Sequence, residues 1–189
     1  MRRLQESPHC FCFNMKKHLL LFLIISAFST VYAAESKDRY VMRTFENGQL
    51  YFILPFDIPV QSTKSKPLSA DITYLTASDS VTMKISVLWN EELSADSIVL
   101  VGNGKRICAK DFETYFIEPD GKWWLHRYSM SFLFSELTSV YTSSKPFSLS
   151  IYAKQHTVRY GYSDKAWLKE QQWMNKILHI IDSNRRFYR

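Results

Sequence analysis

Cysteine is nearly absent from this 189-residue chain: there are three, and two of them, Cys10 and Cys12, lie close to the N-terminus. Cys108 alone remains in the body of the sequence, which excludes an intramolecular disulfide there. The fold therefore depends on hydrophobic burial, and Cys108 itself reads as a small buried hydrophobe. Glycine and proline are also scarce, at five and six residues, and no low-complexity tract, internal repeat or long linker is present. Nor is there a hydrophobic run of the roughly twenty residues that a membrane-spanning helix requires.

The longest apolar run, Leu19 to Phe28, follows the basic segment Met15-Lys16-Lys17-His18 and precedes Val31-Tyr32-Ala33. A positive start, a short apolar centre and small or tolerated residues before a cut site are the parts of a secretory leader. Residues 1–33 are thus expected to be a signal peptide cleaved near Ala33, with Met15 a second candidate start; the alternative fate is retention as an N-terminal anchor. No cysteine follows the apolar run, as a lipoprotein would require, and Arg2-Arg3 lies too far from it for a twin-arginine signal. Cleavage would remove four basic residues and one acid. The formal charge of +6 would then fall to +3, from 20 basic and 17 acidic side chains. That is too mild a balance for nucleic-acid binding.

What the chain does have is alternation. In Lys122 to Phe134, residues Trp124, His126, Tyr128, Met130, Phe132 and Phe134 share one face of an extended segment, and Trp123, Leu125, Arg127, Ser129, Ser131 and Leu133 share the other. This period of two marks a half-buried strand and the centre of the core. A polar helical turn and a second strand, Phe147 to Ile151, follow. Val81 to Trp89 alternates as cleanly and forms a hairpin with Ile72 to Ala77 around Ser78-Asp79-Ser80, a pattern of antiparallel sheet. Shorter strands are expected at Tyr40 to Phe45, Leu50 to Leu54, Ile98 to Val101, Arg106 to Ala109 and Phe112 to Ile117. Turn chemistry separates them: Asn47-Gly48 as a hairpin turn, Pro55 and Pro59 as breaks, Gly102-Asn103-Gly104-Lys105, and Pro119-Asp120-Gly121.

From Ser163 the period changes to that of a helix. Ser163 is an N-cap, Asp164 suits the first turn, and Trp167, Met174, Ile177, Leu178 and Ile181 form one apolar stripe to about Asn184. Residues 34–189 are therefore expected to form one mainly β domain, a single antiparallel β-sandwich or open barrel, with a C-terminal amphipathic helix over about 163–184.

Motifs for chemistry are sparse. Gly102-Asn103-Gly104-Lys105 lacks the spacing and the following Ser or Thr of a phosphate loop. Gly161-Tyr162-Ser163 lacks the second glycine of a nucleophile elbow. His126, His156 and His179 show no metal-ligand spacing. No catalytic residue, metal site or cofactor is assigned, so the expectation is a protein that is not an enzyme. One enzymatic alternative is a hydrolase with a His126-centred site, in which Asp120 or Glu118 orients the imidazole.

Two surfaces suggest binding. Trp123, Leu125 and Arg127 project from the solvent side of the central strand and could meet a sugar ring, a peptide or a partner protein, unless the helix or a second sheet covers them. The terminal Arg185, Arg186 and Arg189, interleaved with aromatics, could rest on anionic lipid, a peripheral membrane contact at most. The expected function is an exported, bacterial-type envelope or periplasmic binding or accessory module, soluble in the periplasm or at the cell surface. Its partner would be another envelope protein, a glycan or a peptide. The second alternative is a membrane-surface adaptor that uses the basic tail.

Overall fold

A computed structural model describes residues 39–61, 66–154 and 156–187. The predicted leader lies outside these residues, as does Arg189. The described chain contains two antiparallel sheets facing one another, the β-sandwich and C-terminal helix that the alternation implies, with no closed barrel.

β1 (Tyr40–Phe45), β2 (Gly48–Ile58), β3 (Leu68–Leu75) and β4 (Ser80–Trp89) form a meander. β5 (Ser97–Gly102) and β6 (Lys105–Cys108) belong to the second sheet. The chain then returns to the first as β7 (Lys110–Asp120) and β8 (Trp123–Leu133). Helix α1 (Phe134–Tyr141) leads back to β9 (Ser148–Ala153) and β10 (His156–Gly161), and helix α2 (Asp164–Arg185) ends the fold. The strand orders are β1-β2-β3-β4-β8-β7 and β10-β9-β5-β6.

The alternating segments pair as expected. β4 and β8 run in unbroken register from Ser80↔Leu133 to Trp89↔Trp124. Val81, Met83, Ile85 and Val87 on β4 and His126, Tyr128, Met130 and Phe132 on β8 are buried, whereas Thr82, Lys84, Ser86, Arg127 and Ser131 are half-exposed. The inner faces of the two sheets bury a single cluster that also takes in α1 and α2.

Several turns differ from expectation, each for a local reason. The first hairpin turns at Glu46-Asn47, because Phe45 pairs with Gly48. Gly48, at φ 138°, begins β2, and a Cβ there would lie 2.6 Å from Thr76 Oγ1. The Asn-Gly signal is realised instead at Asn103-Gly104, where both residues have positive φ (52° and 71°) and Gly102 pairs with Lys105, the geometry of a two-residue type I′ hairpin. Pro55 does not end β2: the register with β3 shifts between Ile53 and Phe56, and this bulge accommodates a residue without an N–H. Past Pro59 the chain leaves the first sheet, and Val60 bridges to Tyr160 of β10. Pro119 lies inside β7, an edge strand that tolerates it, and Gly121-Lys122 makes the turn. β10 carries no predicted strand; its burial pattern is mostly exposed at first, so it lacks the alternation that marks β4 and β8. Cys108 is exposed, not buried, since the pleat of β6 sends Ile107 inward and its neighbour outward.

α2 matches its predicted span. Ser163 Oγ accepts a hydrogen bond from the Ala166 N–H at 3.4 Å, and the stripe from Trp167 to Ile181 is buried. Glu170 interrupts that stripe: its carboxylate meets the Arg39 guanidinium at 3.4 Å, and the same guanidinium lies 4.0 Å above the Trp173 ring. The helix lies against the inner side of β2, where Trp173 meets Phe56 edge-on and Asn184 Nδ2 donates to Tyr51 Oη at 2.5 Å. At its first turns Trp167 packs among Tyr141, Phe147 and Tyr162, with ring centroids 5.4–5.9 Å away. Its indole N–H donates to the Ser143 carbonyl at 3.3 Å. Because Trp167 is fully enclosed, Trp167→Ala is expected to cost about 3–5 kcal/mol, read as a lower urea midpoint at unchanged slope. A loss below about 1 kcal/mol, the size of an ordinary substitution, would contradict this view of how α2 is held.

Candidate functional site

Alternation controls side chains along a strand but not at its ends, and at one end of the sandwich a cavity of about 80 Å³ opens. Trp89, the last residue of β4, and Trp123, the first of β8, form two of its walls. The β9–β10 hairpin contributes Ile151, Ala153, Val158 and His156, and the β4–β5 loop contributes Asn90, Glu91 and Leu93. The hairpin is held to that loop by two bonds: the Asp96 N–H donates to the Tyr152 carbonyl at 2.7 Å, and the Lys154 N–H donates to Asp96 Oδ2 at 2.6 Å.

Behind the cavity sits a buried polar network. His126 Nε2 lies 3.0 Å from the Glu91 carbonyl and Nδ1 lies 3.1 Å from Tyr128 Oη, which is itself 3.2 Å from the Leu93 carbonyl. A neutral imidazole protonated on Nε2 donates to Glu91 and leaves Nδ1 as an acceptor, so the single Tyr128 proton is shared between Nδ1 and Leu93. The Trp89 ring lies 4.7 Å from the imidazole, and its N–H donates to Tyr160 Oη at 3.2 Å. These bonds fasten the loop backbone at Glu91 and Leu93 to β8, which gives the cavity a fixed wall. Burial lowers the His126 pKa, against the opposing pull of the Glu91 and Leu93 carbonyls and the Glu92 charge. Burial likewise pushes the Tyr128 and Tyr160 hydroxyls up to about 12.

The centre of the hydrolase alternative, His126, lies inside this network. His126 is fully buried and its ring nitrogens are occupied by a backbone carbonyl and a phenol. The carboxylates expected to orient it stand on the wrong side of the sheet. Ile117 is opposite His126, whereas Glu118 and Asp120 are opposite Leu125 and Trp123.

The three residues predicted to form one binding face divide between two environments. Arg127 is ion-paired with Asp71 and donates to Ser86 Oγ at 2.7 Å, so it ties β3, β4 and β8 together across the outer face. Leu125 stands between Leu88 and Glu118 on the same face. All three residues are half-exposed, so the helix and second sheet leave this face open. Trp123 alone belongs to the cavity, where the Lys66 and Lys122 ammonium groups lie 5.4 and 5.6 Å from its ring centroid.

The basic tail divides as well. Arg185 pairs with Asp79 at 2.9 Å and lies 4.6 Å above the Phe134 ring, with only 12% of its side chain exposed. Arg186 is exposed and pairs with Asp182 at 2.7 Å. Among the described residues no helix is long and apolar enough to cross a membrane, and no group of His, Cys, Asp and Glu is placed to hold a metal ion. Trp89, His156 and Val158 went unnoticed in the sequence as site residues. The one signal for this end of the sheet is the gathering of Trp89 and the doubled Trp123-Trp124 where β4 ends and β8 begins. Comparison of the chain with family models, curated proteins and solved structures finds no match.

The buried imidazole makes stability depend on pH. The folded pKa of His126 lies below 6.5, its ordinary value. As pH falls, the unfolded chain takes up this proton first, so the contribution is complete above about pH 6.5 and declines below it, toward the lower folded value. Urea midpoints taken from about pH 8 to about pH 5 should fall less steeply in His126→Gln than in the native chain. Equal slopes in the two proteins would count against a buried neutral His126.

Proposed function

We propose that this protein is an exported, non-catalytic binding module of a bacterial-type cell envelope, and that it takes its ligand at the cavity between Trp89 and Trp123. The partner is another envelope protein, a peptide or a glycan. Export rests on the leader pattern of residues 1–33, read from the sequence alone. Binding rests on one observation above the others: two tryptophans and a ring of aliphatic side chains line an open cavity whose loop wall is fixed by buried hydrogen bonds. A concave, preformed pocket that combines apolar side chains with placed polar groups is the general form of a ligand site. The reading as a binding module rather than a His126-centred hydrolase is supported by the His126 ring, whose two nitrogens are bonded to the Glu91 carbonyl and the Tyr128 hydroxyl.

Two measurements test this. Expressed with its leader in a bacterium with two membranes, the chain should be recovered in osmotic-shock fluid with an N-terminus near Ala34; recovery in the cytosol with the leader intact removes the export half. For binding, the mature chain and a Val158→Trp variant that fills the cavity should differ in the envelope proteins, peptides or glycans they retain, at matched circular dichroism. Equal retention by both would remove the cavity from the proposal.

A further inference from the structure

The cavity is too small for an extended ligand and too large for a solvent molecule alone. About 80 Å³ is several times the roughly 10–15 Å³ that one water requires, which suits the tip of a single side chain. Seven of the ten residues around it are apolar, among them Leu88, Leu93, Ile151 and Val158, and only Asn90, Glu91 and His156 bring polar side chains. An aliphatic or aromatic side chain can bury against the apolar members, which leaves the polar ones for the groups on its backbone.

Trp123, one of the lining residues, carries a second feature. Lys66 and Lys122 converge on the Trp123 ring from two different loops, and among the described residues neither forms an ion pair. Two ammonium groups held near one indole make that wall attractive to an anion. Asn90 and Glu91, also in the lining, offer an amide and a carboxylate that can hydrogen-bond a peptide backbone. An apolar side chain with a carboxylate and a backbone amide close beside it describes the last residue of a polypeptide.

Building on the reading of this cavity as a ligand site, we infer that its occupant is the C-terminal residue of a partner polypeptide. A leucine- or phenylalanine-type side chain enters between Trp89 and Trp123, and the terminal carboxylate rests against Lys66 and Lys122. Capture of a C-terminal carboxylate is an established mode of peptide recognition, and here two ammonium groups would take the part that backbone N–H groups play in it.

The test uses N-acetylated tetrapeptides ending in leucine or phenylalanine, as free acids and as C-terminal amides, titrated into the mature chain with tryptophan emission as the readout. The free acids should bind roughly tenfold more tightly than the amides, and the preference should shrink as salt rises from about 0.02 M to about 0.5 M. Lys66→Glu/Lys122→Glu, both exposed positions, should abolish the preference for the acid while circular dichroism is unchanged. Val158→Trp should abolish binding of both forms. Equal affinity for acid and amide overturns the inference, as does an acid preference that survives the double lysine variant. Binding of a neutral or acidic oligosaccharide that Val158→Trp abolishes, with no peptide binding, overturns it while leaving the cavity a ligand site. No difference between native and Val158→Trp for any probe overturns both.

Discussion

The structure depends on the ladder between β4 and β8. Its unbroken register places two strongly alternating segments side by side at the centre of the larger sheet, so one parity decides which side chains of the whole sheet enter the core. A slip of β8 by one residue would expose Tyr128, Met130 and Phe132 and bury Arg127 and Ser131. Burying an aromatic or aliphatic side chain is worth about 1.5–3 kcal/mol, and burying an unpaired charge costs more than that. The two penalties add over several rungs, which is why this register needs no disulfide to fix it. The Asp71–Arg127–Ser86 contact across three strands on the outer face belongs to the same register.

The parity also decides the chemistry. It sends His126 inward with Tyr128, where its hydrogen-bonding needs are met by the backbone at Glu91 and by the phenol. It sends Glu118 and Asp120 outward on β7, out of its reach. A histidine two residues from an aromatic on an apolar face becomes a structural hydrogen-bonding group that anchors a loop. Such a group resists protonation for the reason that makes it useful here: charging it would require burying that charge.

Periodic features were the legible ones. The central strands, the hairpin before them and the buried stripe of α2 all follow from spacing alone, since each repeats the same burial decision many times. Single decisions were less legible. Whether Asn47-Gly48 or Glu46-Asn47 makes a turn depends on how Phe45 pairs; whether Pro55 ends a strand depends on a bulge; and whether Cys108 is buried depends on the phase of a four-residue strand. Glu170 in the apolar stripe could not be anticipated, because its partner Arg39 lies at the far end of the chain. The candidate site was half legible for the same reason. Trp123 was singled out for its place on a strand face, yet the residues that surround it come from a loop and from the hairpin containing β10, the strand with the weakest pattern.

These points locate the cavity in the architecture. Where β4 ends and β8 begins, two large indoles stand at the last rungs with no further strand residues to pack between them, and the second sheet, two strands narrower, closes over them only through the β9–β10 hairpin. Tryptophan is wide enough to hold the two layers apart at that margin, and the bonds from His126 and Tyr128 keep the β4–β5 loop from folding into the gap. The opening is therefore a consequence of the same register that builds the core: the ladder places Trp89 and Trp124 directly opposite one another, puts Trp123 just beyond them, and positions His126 one turn of the pleat behind to secure the loop.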